Sequence, residues 1–297
     1  MRLRAALVGP TASGKSRLAH RLARELGDLE IVSLDSMSVY RGLDTATAKP
    51  THQEREEVTY HLIDVVGPSE EFSVADALAH VRALSLPRKL LGVGGTGLYA
   101  RAIIDDLEIP GVHPEIRHAL EQESDLEALY RELVQRDPLG ASRMDPTNGR
   151  RVRRALEVCR ATGRPFSSFG PGLDSYPASS VVQVGLQVDF ADLDSAIEKR
   201  LRTWVETGLL DEVRRLDAEG LSRAARQAVG YKEFFPAVHG DKTVGECLEE
   251  AIANTRRLAR RQWRWFRRDP RVTWYRDLNG AYDHLMRALA SAPDVGD

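Results

Sequence analysis

One stretch constrains this chain more than any other: Gly9-Pro10-Thr11-Ala12-Ser13-Gly14-Lys15-Ser16. It fits G-x-x-x-x-G-K-[ST], the phosphate loop. Such a loop needs a strand before it and a helix after it, because its anion site is built from successive backbone N–H groups and a helix N-terminus. Both flanks are present. Leu3–Val8 is a short apolar run that reads as a buried parallel strand. Lys15–Leu26 carries Leu18, Ala19, Leu22 and Leu26 at helical spacing, and Gly27 closes it. In this reading the N–H groups from Ala12 to Ser16 form the nest, Lys15 supplies a point charge and the Ser16 hydroxyl can ligate Mg²⁺. ATP or GTP is the usual occupant of such a loop.

The pattern repeats beyond it. Ile31–Leu34, His61–Val66 and Lys89–Val93 read as further strands with helical patterns between them. Repeated β-then-α units imply a parallel sheet with right-handed crossovers. Ligands on such sheets bind at the carboxyl ends of the strands, where Gly9–Ser16, Asp35 and Thr96 all fall. After Pro110 the pattern turns helical. Ser124 to Glu127 reads as a capping box, and a second helix spans roughly 148–161 before Gly163. A Ser-, Gly- and Pro-rich return follows Pro165, and Val181–Val188 re-enters the core as a strand. The expected architecture is α/β: a P-loop NTPase-like parallel sheet core (1–110 and 181–297) with a helical insertion (111–180). Near the end, Thr243 and Glu246 form a capping box. Leu248, Ile252, Thr255, Ala259, Trp263 and Phe266 then form an apolar stripe.

Composition narrows the function classes. Net charge is −2 over 297 residues, so any nucleic-acid surface must come from local clustering of Arg. Two cysteines, Cys159 and Cys247, exclude a disulfide framework and fit a reducing compartment. Residues 2–8 are too short for a signal h-region, and no apolar run approaches a membrane span. The expectation is a cytoplasmic protein.

Several residues then stand out, each with two readings. Asp35 is a Mg²⁺ ligand, a general base or simply a helix cap. The run 92–97, Gly-Val-Gly-Gly-Thr-Gly, serves a ligand's close approach or a tight turn, and it is not the dinucleotide fingerprint. Arg150, Arg151, Arg153 and Arg154 crowd five positions, which makes phosphate binding competitive with a solvated face. Along 255–268 arginines interleave with aromatics, a combination suited to RNA backbones and stacked bases. There Trp263 and Phe266 read as core and the arginines as phosphate contacts.

Taken together, GPTASGKS at 9–16, DSMSVYRGLDTATAKP at 35–50, HLID at 61–64, VGGTGLY at 93–99, RRVRRALEV at 150–158, GLLDEV at 208–213, VGYKE at 229–233 and TRRLARRQWRWFR at 255–267 resemble the tRNA dimethylallyltransferase (tRNA isopentenyltransferase) family. These pieces keep family order over nearly the whole chain. Departures are Ser38 where the family usually has Gln, Tyr60 before His61 where it has His-His, Arg150 where Gln is frequent, and Ala196 where Arg is frequent. The resemblance implies transfer of a dimethylallyl group from dimethylallyl diphosphate, with Mg²⁺, to the exocyclic amine of the adenosine at tRNA position 37. The loop would hold the departing diphosphate, Lys15 and Arg200 would stabilise it, Asp35 would accept the proton, and Thr96 would line the channel. The base would be flipped out to reach it. It further implies tRNA contacts from Asp35, Ser36, Met37, Ser38, Thr96, Arg117, Arg150, Arg151, Val152, Arg153, Arg154, Gly230, Tyr231, Lys232, Arg260, Arg261, Gln262, Trp263, Arg264 and Arg267. The insertion would grip the anticodon stem-loop from one side and the C-terminal helix from the other, in a monomer with no obligate protein partner. The competing readings are a P-loop kinase of a small metabolite, a prenyltransferase of free adenine nucleotides, and a non-enzymatic RNA-binding or NTP-switch module. None of the three uses every feature: the first two leave the arginine clusters idle, and the last leaves Asp35 idle.

Overall fold

The computed structural model describes residues 3–84, 89–170 and 172–290. The chain divides into two compact units, one of residues 1–106 with 176–297, the other of residues 107–175.

The larger unit is built on six strands. It begins with β1 (Ala5–Val8), α1 (Lys15–Leu26), β2 (Leu29–Ser33), α2 (His52–Glu57), β3 (Tyr60–His61), α3 (Val74–Arg82), β4 (Lys89–Gly94) and α4 (Gly97–Ile104). The third strand is only two residues long, not the six that His61–Val66 suggested. Left-handed backbone at Leu62 (φ 59°) and Asp64 (φ 54°) breaks the extended run, and only Val66 bridges again, to Tyr40.

The smaller unit holds α5 (Pro114–Gln122), α6 (Leu126–Arg136), α7 (Pro138–Ser142) and α8 (Gly149–Thr162). Its core is Leu120, Leu129, Leu133, Val152, Leu156 and Cys159. Asp125, not Ser124, caps α6, by accepting from the Ala128 N–H at 2.9 Å. The unit also begins and ends a few residues earlier than the composition change at Pro110 and the apolar run at Val181 suggested.

The chain then returns with β5 (Val182–Leu186), α9 (Phe190–Glu206), α10 (Leu209–Glu219), α11 (Phe235–His239), α12 (Val244–Phe266), β6 (Val272–Tyr275) and α13 (Leu278–Ala290). The sheet order is β3-β2-β4-β1-β5-β6, with every pair parallel. The inner strands are buried on both faces, as near-continuous apolar runs such as Ala5–Val8 require. On one face α1 and α13 pack Leu18, Leu22, Leu285 and Leu289 against Leu7, Leu91, Val93 and Val184. The Thr243–Glu246 capping box opens α12. β6 is the strand the sequence reading lacked.

Arg271 fastens the two places where the chain leaves and re-enters the larger unit. Its guanidinium meets Asp105 at 2.6 Å, Asp269 at 2.7 Å and the Pro177 carbonyl at 2.9 Å. Asp105 and Asp269 are buried, so these ion pairs are poorly screened.

Candidate active site

β1 stands in the middle of the sheet, between β4 and β5, and delivers the phosphate loop at its carboxyl end. Ala12 (φ 64°) and Gly14 (φ 90°) are left-handed between neighbours of negative φ, which is the backbone form of an anion nest. Gly14 is the N-cap of α1 and makes no side-chain cap bond. The first-turn amides of α1 have no carbonyl four residues earlier within the helix, so they are donors for an anion.

Lys15 is 7% exposed and folds back over the loop. Its ammonium donates to the Pro10 carbonyl at 2.5 Å and to Ser13 Oγ at 3.3 Å. Burial lowers its pKa from 10.5 to about 7; Asp35 opposes the shift and Arg200 adds to it. Arg200, on α9, donates from Nη2 to Thr11 Oγ1 at 3.0 Å, while its buried Nε has no partner. Burial lowers this guanidinium from 12.5 to about 10, and the Trp204 ring lies 4.6 Å beneath it. A buried donor left unpaired is costly, and one beside a phosphate loop is what an anion would satisfy. Ser16, on the first turn of α1, is exposed.

Asp35 follows β2, one strand away from β4. Its Oδ1 accepts from the Met37 N–H at 2.9 Å within a turn; among the described residues no helix starts between Asp35 and His52, so Asp35 is not a helix cap. Burial raises the Asp35 carboxyl above the ordinary carboxylate range; the Met37 amide and Lys15 pull the other way. Thr96 follows β4. Its N–H donates to the Leu34 carbonyl at 3.1 Å, and its Oγ1 accepts from the Ser36 N–H at 3.2 Å. The two strand ends are thereby strapped together, and Asp35 and Thr96 lie at the same end of the sheet as Lys15, whose charge acts on Asp35.

The glycines at 95 and 97 are explained by close approach. A Cβ on Gly95 would lie 2.4 Å from Gln262 Nε2, and one on Gly97 would lie 2.3 Å from Trp265 Nε1. So α12 packs directly over the Thr96 turn. Trp265 was not singled out by sequence. Gln262 was, but in the wrong surroundings: it is 9% exposed and accepts from the Thr11 N–H at 2.8 Å. The buried face of α12 runs through Thr255, Ala259, Gln262 and Phe266. The spacing of those four was available in the sequence, and it bypasses Trp263. Trp263 instead packs edge-on against Trp274, with ring centroids 4.5 Å apart.

The arginines separate into two sets. Arg260 pairs with Asp194 at 2.7 Å and Arg256 with Glu198 at 2.8 Å, both on α9. Arg261, Arg264 and Arg267 are exposed. In the smaller unit Arg153 donates to the Leu120 and Glu123 carbonyls, Arg154 to Glu157 and the Pro110 carbonyl, and Arg117 to Glu157. Within the Arg150–Arg154 cluster, then, Arg153 and Arg154 are held internally, while Arg150 and Arg151 are exposed. Val152 is fully buried in that unit's core, so its side chain is closed to RNA.

Two more expected contacts are internal, and a third, Lys232, keeps its side chain 36% exposed. Tyr231 is 1% exposed; its hydroxyl donates to Glu212 and accepts from the Ala46 N–H. The Gly230 N–H donates to Glu233 at 2.8 Å, and Lys232 lies 3.9 Å from Glu233. Ser38 is 5% exposed, whereas Ser36 and Met37 are half-buried beside Thr96.

Comparison with known proteins identifies relatives over nearly the whole chain. A family described as IPP transferase matches residues 38–269, and one described as isopentenyl transferase matches residues 1–66. A tRNA dimethylallyltransferase of Bifidobacterium animalis subsp. lactis is 43% identical over 98% of this chain and 87% of that protein. The solved full-length tRNA isopentenylpyrophosphate transferase of Bacillus halodurans is 36% identical, with a TM-score of 0.66 over 97% of this chain and 95% of that one. A eukaryotic dimethylallyltransferase acting on tRNA, 22% identical, shares the fold with a TM-score of 0.78 over 100% of this chain and 82% of that one. The family match covers most of the chain and the curated relative nearly all of it: the chain belongs to the IPP transferase family.

Proposed function

We propose that this chain transfers a dimethylallyl group from dimethylallyl diphosphate to the exocyclic amine of the adenosine at tRNA position 37, releasing diphosphate. The observation that carries the reading is the pairing of an anion pocket with a base: the phosphate loop, Lys15 and the unpaired Nε of Arg200 make the anion side, Lys15 is close enough to Asp35 for their charges to interact, and the second Asp35 oxygen is not used by the Met37 amide. In allylic transfer the C1–O bond to the diphosphate breaks as the N–C1 bond forms. Negative charge grows on the leaving group, so fixed cations and N–H donors bind the transition state better than the substrate. The attacking amine sheds a proton, and Asp35, its affinity for protons raised by burial, receives it. Thr96 holds the Ser36 amide and so fixes the turn that carries Asp35.

Mg²⁺ fits the donor set. The exposed Ser16 hydroxyl is a hard oxygen donor at the head of α1, and a cation that keeps waters and takes phosphate oxygens needs few protein ligands. When bound, it would offset charge on the diphosphate. For the RNA, the exposed Arg150, Arg151, Arg261, Arg264 and Arg267 are the phosphate contacts supported by their exposure; of these Arg264 donates from Nε to the Arg260 carbonyl at 3.4 Å and stays exposed.

Labelled dimethylallyl diphosphate, Mg²⁺ and unmodified tRNA, incubated without ATP, should put label into the tRNA. The same protein given labelled ATP and no prenyl donor should phosphorylate nothing. Phosphate transfer in the second reaction with none of the prenyl label in the first would replace this reading with a kinase.

A further inference from the structure

Gln262 connects three separate stretches of the molecule. It sits on the buried face of α12, a helix whose exposed face carries Arg261 and Arg264. Its Oε1 accepts from the Thr11 N–H at 2.8 Å. Its Nε2 lies so close to Gly95 that a Cβ there would come within 2.4 Å of it and within 3.2 Å of the Gly9 carbonyl. The amide is therefore wedged between the first residues of the phosphate loop and the Thr96 turn. Thr11 passes the constraint on, since its Oγ1 accepts from Arg200 Nη2 at 3.0 Å. With its N–H spent on Gln262, Thr11 serves the anion site through its hydroxyl, and the nest is left to the amides that follow.

We propose that Gln262 is a positioning residue for the leaving diphosphate. It fixes Thr11, and Thr11 fixes the guanidinium of Arg200 at the anion site. Its effect falls on the prenyl diphosphate side of the reaction, although it belongs to the helix whose outer face is offered to RNA. A buried side-chain amide suits this role, because its oxygen is held by a loop N–H and its nitrogen lies close against Gly95. This inference rests on the prenyl-transfer reading above.

Gln262→Met keeps the length and removes the acceptor. It should raise the KM for dimethylallyl diphosphate and the inhibition constant of inorganic diphosphate about tenfold, the size of one lost hydrogen bond. The KM for tRNA and direct tRNA binding should stay within about twofold of wild type. Thr11→Val, which removes the acceptor for Arg200, should give the same split. Thr11→Ser, which keeps the hydroxyl, should restore most of it. The Gln262→Met and Thr11→Val effects should add to much less than their sum, because they break one chain of contacts. A Gln262→Met protein that loses tRNA affinity while keeping its diphosphate constants would overturn the proposal and make Gln262 an RNA contact. If Gln262→Met melts out, Thr11→Val decides alone, and unchanged diphosphate constants there refute it. If wild type transfers no prenyl group, the prenyl reading fails by itself; calorimetric binding of inorganic diphosphate to wild type and Gln262→Met still decides the role of Gln262.

Discussion

Lys15 should make diphosphate binding depend on pH in a way that can be worked from its burial. In the free protein its pKa is about 7, down from 10.5. By simple titration about ten-elevenths of the molecules carry the charge at pH 6 and about one-eleventh at pH 8. A bound diphosphate supplies the negative charge that Lys15 otherwise lacks and restores its proton. Raising pH from 6 to 8 should then weaken binding about tenfold through this group alone, or about 1.4 kcal/mol. Arg200, at about 10, stays charged over the window. The assay is calorimetry with dimethylallyl diphosphate and Mg²⁺, without tRNA, in pairs of buffers of different ionisation heat. Proton uptake should approach one per ligand at pH 8 and fall to about a tenth at pH 6. Lys15→Arg keeps a cation that does not titrate here, and its data subtract the ligand's own ionisation. Equal proton uptake by wild type and Lys15→Arg at pH 8 would refute the reasoning. Stability follows the same group with a definite sign. Between about pH 7 and 10.5 the unfolded chain binds more protons at Lys15 than the folded one, so this contribution grows more favourable as pH rises.

Asp35→Asn should lower the transfer rate by about 10²–10⁴-fold with tRNA binding retained; single-turnover transfer at near wild-type rate would remove the base assignment. Replacing both Arg264 and Arg267 with Ala should flatten the slope of log tRNA affinity against log salt by about 1.5 with no loss of thermal stability, and an unchanged slope returns both to a solvated face. Arg260→Ala, which breaks the half-buried pair with Asp194, should instead show a small stability loss, about 1 kcal/mol in urea unfolding. Tyr231→Phe should destabilise the fold by about 1–3 kcal/mol, because the Ala46 N–H loses its acceptor and Glu212 a donor. A loss of tRNA affinity without that destabilisation would put Tyr231 back on the RNA surface.

The legible parts of this molecule were the local ones. The phosphate loop is complete within eight residues, and its strand and helix flank it directly, so fold class and anion pocket could be read together. The Thr243–Glu246 cap is a contact of three residues' span, and it is present. What the sequence concealed were partners. The arginines of α12 were visible as a run, but Asp194 and Glu198, which occupy Arg260 and Arg256, lie 66 and 58 residues away. The contact between Gln262 and Thr11 spans 251 residues. Val152 and Tyr231 belong to motifs that the resemblance associates with RNA, but burial places their side chains inside. β6 is four residues long and starts six residues after a basic helix ends, and its pairing with β5 across the chain was not legible at all.

The strand order also has a bearing on synthesis. The smaller unit is a single uninterrupted segment, whereas β1, the first strand made, has one of its two neighbours in β5, which is translated only after that segment. On a ribosome the helical unit has all of its sequence while the phosphate loop still stands on an unfinished sheet. β6 and α13 come later still, and α13 covers the same apolar cluster as α1. A chain stalled before β5 therefore exposes the apolar edge of β1 to neighbouring nascent chains.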